Sequence, residues 1–214
     1  MTSWAAHERT ALVDALSEVG PDAPTLCEGW TAQDLAAHVY VREHRPDASL
    51  GVLPLGPLSA YTARVMRSAL RTHGFEGLLE ALREVPTVWR VTRLDEQVNA
   101  IEFLVHTEDV RRPNRLRDRD LPEEFERAIW RRLSRQARLS FRRTPVRVRL
   151  IPTGLSADAA QPVEVGKSGS EVVEVRGRPS ELLLFAFNRK ADARVDMTGT
   201  AAAVDALQQA KLGL

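Results

Sequence analysis

The hydrophobic period of the chain changes once, at Thr144-Pro145, and that change limits the folds open to it. Before it, apolar residues recur at helical spacing in one stretch after another. After it, Val146-Arg-Val-Arg-Leu-Ile151 alternates with period two, and Val163-Glu-Val165 and Glu171-Val-Val-Glu-Val175 repeat the alternation with glycine-containing turns between them. Neither an all-helical nor an all-sheet chain carries both signals. The pattern predicts an α+β protein with a helical domain over residues 1–143 and a small α/β domain over 144–214. At 214 residues the chain is long enough to bury a core in each.

Within the first domain, Trp4, Ala11, Leu12, Ala15, Leu16 and Val19 place a helix over residues 3–19, which Gly20-Pro21 ends. Glu8 falls on its apolar face and is read as half of a partly buried ion pair with an arginine. Thr31 opens a second helix in a capping box with Asp34, after a loop that holds Cys27 and Trp30. The stretch from His44 to Pro57 is rich in Pro and Gly, too long for a tight turn, and reads as a lid or pocket wall, with His44 a candidate mobile ligand. Helix resumes from Ser59 to about Thr72. His73 next to Gly74 reads as a helix terminus, and a short amphipathic piece follows over Phe75 to Val85. A longer helix occupies about Asp95 to Arg112 and stops at Pro113, and another begins near Pro122 and buries Phe125, Ile129, Leu133 and Ala137. Four of these helices are principal. In the second domain Pro179 starts a helix, Ala193-Arg-Val-Asp-Met197 reads as a strand, and Thr200 caps a last helix from Ala201 to Leu212.

The helix Asn99-Ala-Ile-Glu-Phe-Leu-Val-His-Thr-Glu-Asp-Val-Arg-Arg112 carries a polar stripe where an amphipathic helix normally turns apolar groups inward. Glu102 and His106 stand four residues apart, one above the other, a spacing that can hold a metal ion. Asn99 and Asp109 extend that face in steps of three and are read as supporting residues around the site. The best third ligand is His38, which shares its helix face with Leu35, Val39 and Arg42. Two histidines and one carboxylate leave a coordination position open, which describes a catalytic rather than a structural zinc site, and the same set also suits non-haem iron. A di-iron bundle would need two Glu-x-x-His repeats, so one ion is expected. On spacing alone a plain Glu to His hydrogen bond competes with this reading. Cys27 could approach the metal, although a lone cysteine is most often a small buried hydrophobe.

Composition narrows the functions further. No apolar run nears the roughly 18 residues of a membrane span, and the start Met-Thr-Ser-Trp lacks the basic segment and apolar core of a signal peptide, so a cytoplasmic protein is expected. One cysteine excludes an intrachain disulfide and any Cys-rich zinc motif. Residues 111–149 hold 14 Arg against 5 Asp or Glu, an excess of 9 positive charges. This region lacks interleaved aromatics, so it reads as a solvated helix face or a site for an anionic small molecule, and nucleic acid is not expected as a partner. Arg outnumbers Lys 27 to 3, a bias that points to a GC-rich genome.

Leu26-Cys-Glu-Gly-Trp-Thr-Ala-Gln-Asp-Leu-Ala-Ala-His38, Glu102-x-x-x-His106 and the Leu-rich α/β tail together resemble the mycothiol-dependent maleylpyruvate isomerase group of the DinB-like metalloprotein superfamily. The resemblance covers nearly the whole chain. It implies a DinB-like four-helix bundle that binds a divalent metal, usually zinc, followed by a small α/β domain like the isomerase C-terminal domain. It maps the ligands onto His38, Glu102 and His106. It also implies mycothiol as a thiol co-substrate, held as thiolate at the metal and added to a small anionic or electrophilic substrate. Arg189, in Phe187-Asn-Arg-Lys190, resembles one half of a Gly-Arg pair in the family that contacts the anionic part of a ligand, with Asn188 in place of the Gly. The expected protein is therefore a metal-dependent isomerase or thiol transferase, a monomer or homodimer. A non-catalytic metal-binding or sensing protein is the alternative. A carrier of apolar ligands, suggested by Leu182-Leu-Leu-Phe-Ala-Phe187, ranks last.

Overall fold

In the computed structural model, residues 3–45, 57–84, 95–167 and 171–213 are described. The chain is α+β and divides into two compact units, Met1–Arg117 and Asp118–Leu214.

The first unit contains α1 (Trp4–Val19), α2 (Ala32–His44), α3 (Pro57–Arg83) and α4 (Asp95–Arg111). Ser3 caps α1 by accepting from Ala6 N at 3.2 Å, and Gly20, at φ 82°, ends it. Thr31 and Asp34 form the capping box of α2, with Thr31 N donating to Asp34 Oδ2 at 3.0 Å. The third helix is interrupted at Gly74, whose φ of 65° is a conformation only glycine adopts freely, so the expected break after His73 is present. α1 packs along α4 and α2 along α3. Leu12, Leu16, Leu35, Val39, Leu78, Leu79, Leu82 and Phe103 close the core between them. A buried ion pair crosses this core, with Arg9 Nη1 and Nη2 donating to Glu43 Oε2 and Oε1 at 2.5 and 2.6 Å, and Nη1 also reaching Leu82 O at 3.1 Å. Glu8, fully buried, lies 3.2 Å from His7 Nδ1.

The second unit contains α5 (Glu123–Ser140), β1 (Arg147–Pro152), β2 (Val163–Gly166), β3 (Val172–Gly177), α6 (Pro179–Ala186), β4 (Asp196–Thr198) and α7 (Ala201–Gln209). Its sheet runs β2-β1-β3-β4, with β1 and β3 parallel and the outer pairs antiparallel. Alternation along β1 and β3 buries Val148, Leu150, Val173 and Val175. α5 turns Phe125, Ile129, Leu133 and Ala137 inward and packs against α6, where Phe141 and Phe185 stack with ring centroids 6.3 Å apart.

Three element boundaries differ from the sequence reading. The compact units part between Arg117 and Asp118, not at 143/144, because α5, although helical, buries its apolar face against α6 of the second unit. The last strand covers Asp196–Thr198 only, and α7 ends at Gln209 rather than Leu212. The lid reading for the Pro- and Gly-rich stretch falls mostly on residues 46–56, outside the described residues. No helix among the described residues is long and apolar enough to cross a membrane.

Candidate metal centre

α2 and α4 bring the polar stripe and His38 together. The capping box fixes where α2 begins, and His38, two turns further on, is 6% exposed with its ring centroid 5.0 Å from that of Trp30 and 5.3 Å from that of His106. On α4, Asn99, His106, Thr107 and Asp109 are all buried while Phe103 and Leu104 fill the core beside them. One ligand atom from each of His38, Glu102 and His106 lies within 4.8 Å of the others. Four-coordinate zinc holds nitrogen and oxygen donors at about 2.0–2.2 Å, which separates ligand atoms by about 3.3 Å.

The surrounding contacts orient these groups. His106 Nδ1 is 3.0 Å from Asp109 Oδ2, which leaves Nε2 facing Glu102 Oε1 at 4.0 Å. A carboxylate on the far nitrogen of a histidine is the arrangement that fixes the tautomer of a metal-ligating imidazole. Glu102 Oε1 also meets Arg42 Nε at 2.6 Å, and Arg42 Nη2 donates to Asn99 Oδ1. Asn99 Nδ2 is buried and has no hydrogen-bond partner among the described residues. The two supporting positions expected from the sequence therefore act through different neighbours, Asp109 on His106 and Asn99 on Arg42.

The two imidazoles are driven apart in basicity. Burial, then the charges of His106 and Arg42, lower His38 to about 3. Burial also works to lower His106, but its hydrogen bonds with Asp109, whose carboxylate accepts, and with Cys27, and the charges of Asp109 and Glu102, outweigh it and raise the group to about 9. At neutral pH, without metal, His38 is a neutral donor and His106 a cation, so two cations, His106 and Arg42, balance two carboxylates, Glu102 and Asp109. The donor set fits a divalent ion of borderline softness, since two imidazoles and one carboxylate favour zinc, iron or their neighbours over calcium or magnesium.

Arg42 is the residue whose role the sequence reading passed over. Its signal was present, since it stands four residues after His38 and so on the same helix face. Cys27 was read mainly as a small hydrophobe. It packs partly buried against the helical core, with Sγ 3.3 Å from Asp109 Oδ2. The other histidines stay outside the cluster. His44 stacks on Tyr40, centroids 4.5 Å apart, and its Nδ1 lies 3.2 Å from Tyr40 O. His73 Nε2 meets Tyr40 Oη at 3.3 Å. Arg189 belongs to the second unit and donates to Phe187 O at 2.7 Å. Asn188 before it has φ 68°, in the left-handed region that Gly and Asn accept most readily.

The fold is that of the mycothiol-dependent maleylpyruvate isomerases. Crystal structures of the mycothiol-dependent maleylpyruvate isomerase and of a point mutant of it superpose with TM-scores of 0.55 and 0.57, at 17% and 16% identity, over 91% of this chain and 90% of theirs. At that identity the likeness is one of fold. No family model matches the chain, and no curated protein matches it in sequence.

Proposed function

We propose that the protein binds one divalent metal ion, zinc foremost, through His38, Glu102 and His106, and works as a mycothiol-dependent isomerase or thiol transferase on a small electrophilic substrate. The observation that carries this reading is the convergence of three donor side chains from two helices, with His38 standing 64 positions before Glu102 in sequence. The shared fold supports the choice of thiol, since the isomerase of that architecture is mycothiol-dependent. In this reading α1 to α4 form a DinB-like four-helix bundle and the sheet unit is an isomerase C-terminal-like domain.

A bound divalent ion would supply a Lewis acid at which a thiol is held as thiolate at neutral pH. The chain's own groups do the rest. His38 is kept neutral by burial and is ready to donate a lone pair. Asp109 holds the Nδ1 proton of His106, so that Nε2 points to Glu102. Arg42 offsets the charge of Glu102, and its guanidinium, held by Asn99, lies where an anionic substrate would be drawn. Trp30 covers one side of His38 and limits water there.

The test is to load the purified protein with zinc and incubate it with mycothiol and unsaturated or otherwise electrophilic acids. Conjugates or isomers are expected. Absence of turnover with any thiol, in protein shown to hold zinc, would refute the catalytic reading. The ion pair between Arg42 and Glu102 favours a second reading, a non-catalytic metal sensor, in which the ion takes Glu102 from Arg42 and changes the contacts of α2. Under that reading zinc alters oligomeric state or partner affinity without turnover.

A further inference from the structure

On the other edge of the His106 ring a second donor set converges. Cys27 Sγ lies 3.3 Å from Asp109 Oδ2, the same oxygen lies 3.0 Å from His106 Nδ1, and sulfur, nitrogen and oxygen all fall within 4.8 Å. The loop that carries Cys27 is fastened to the end of α4. Leu26 N donates to Asp109 O at 2.9 Å, while Asn114 Nδ2 donates to both Pro24 O at 2.9 Å and Val110 O at 2.7 Å. Cys27 N donates to Thr25 Oγ1 at 3.2 Å, which sets the turn from which the thiol projects. The sulfur is therefore held beside the imidazole and the fully buried carboxylate by backbone, with no movement needed to bring it there.

We infer that Cys27, His106 and Asp109 form a second metal site, selective for a thiophilic divalent ion such as cadmium. One thiolate among three donors shifts preference toward soft ions, whereas the His38, Glu102 and His106 set offers none. Binding requires no redox partner. The Cys27 S–H and His106 Nδ1–H bonds break as the sulfur–metal and nitrogen–metal bonds form and both protons pass to solvent, which leaves His106 with one ring proton, on Nε2. A neutral imidazole has a single lone pair for a metal, so His106 serves one ion at a time. Nε2 turns to Glu102 and His38, or Nδ1 to Cys27 and Asp109. A thiophilic ion thus withdraws His106 from the first cluster and competes with the ion held there. The competition rests on the proposed zinc site, whereas the thiolate site stands without it.

The experiment is a titration of the metal-free full chain with cadmium chloride, following the ultraviolet thiolate-to-cadmium charge-transfer band in the parent, Cys27→Ser and His38→Ala, with circular dichroism to establish folding. The band should saturate at one cadmium per chain in the parent and in His38→Ala, and vanish in Cys27→Ser. Carboxamidomethylation of Cys27 in the folded parent should remove it equally, which keeps the test decisive if Cys27→Ser does not fold. Cadmium should expel preloaded zinc from the parent at stoichiometric addition, and from Cys27→Ser only at tenfold or greater excess. Absence of the band in the parent, or its loss in folded His38→Ala, would overturn the second site. Simultaneous retention of zinc and cadmium would overturn the alternation. Failure of zinc to bind the parent, with the cadmium band intact, would instead refute the proposed function alone.

Discussion

His106 is the residue on which the site turns, because its two ring nitrogens face different neighbours and its basicity is set by both. Removing its imidazole leaves His38 and Glu102, too few donors to hold a divalent ion against water. His106→Ala should therefore lose zinc, seen as metal content below a tenth of the parent's after dialysis, while the helix survives because Ala favours it. His73→Ala, whose ring contacts Tyr40 and not the cluster, should retain full metal content. Titration gives a second prediction. In the metal-free protein His106 stays protonated to about 9, so an ion entering at neutral pH must displace that proton. Calorimetry in buffers of different ionisation enthalpy should show about one proton released per zinc bound, and affinity should rise between pH 7 and about 9 as the proton leaves unaided. Stability of the metal-free protein follows the opposite sign. A pKa raised from 6.5 to about 9 contributes stability that is complete below 6.5 and lost as pH rises through about 9, with Asp109, Glu102 and Cys27 as the partners responsible. His38, lowered from 6.5 to about 3 by burial and by the neighbouring His106 and Arg42, adds a loss on the acid side, since the unfolded chain takes up a proton there that the folded chain refuses. Chemical denaturation of metal-free protein across pH checks both limbs.

At the scale of helices and strands, the cluster depends on α2 lying in register against its neighbours, and the Arg9 to Glu43 pair is one lock on that register. Both side chains are buried, at 4% and 1% exposure. Glu43→Ala leaves a buried guanidinium without its carboxylate and should cost about 3–5 kcal/mol of unfolding free energy, measured by denaturant titration. In the sheet, Gly166 at φ 91° closes on the start of β1, and a Cβ there would run into Val146 O and stand 2.8 Å from Thr144 Oγ1. Gly166→Ala should cost about 1–3 kcal/mol without changing metal content, since the strand belongs to the second unit. These elements also show what the sequence made legible. Period-two runs and the Thr31 to Asp34 box were readable because strand alternation and capping are local. Helix periodicity made readable which face Glu102, His106 and His38 each occupy, whereas the choice of these three as one ligand set leaned on the family resemblance. The unit boundary was not, since where α5 packs depends on a partner helix some forty residues later in the chain. Nor were Arg42 on Glu102 or Cys27 on Asp109, because contacts between elements depend on the offset between them, which no spacing within one element encodes. Leu182 to Phe185, which suggested an apolar carrier, are buried at 0–1% exposure as the core of α6.

The molecule as a whole comprises a helical unit that gathers two imidazoles and a carboxylate and a sheet unit with its own core, a fold shared with the mycothiol-dependent maleylpyruvate isomerase. Buried imidazoles beside two carboxylates and an arginine are costly to maintain in a fold, and a bound ion would offset part of that cost. If the ion does bind there, zinc should raise thermal stability in proportion to its concentration over its dissociation constant, and His106→Ala should show no such gain. The measurement that bears on this most directly is anomalous diffraction at the zinc absorption edge from crystals of the protein loaded with one equivalent of zinc. The account predicts a single strong peak bonded to His38, Glu102 and His106 Nε2, with Asp109 on the opposite ring nitrogen. A zinc ion found away from those three side chains, or no peak in protein exposed to stoichiometric zinc, would contradict it.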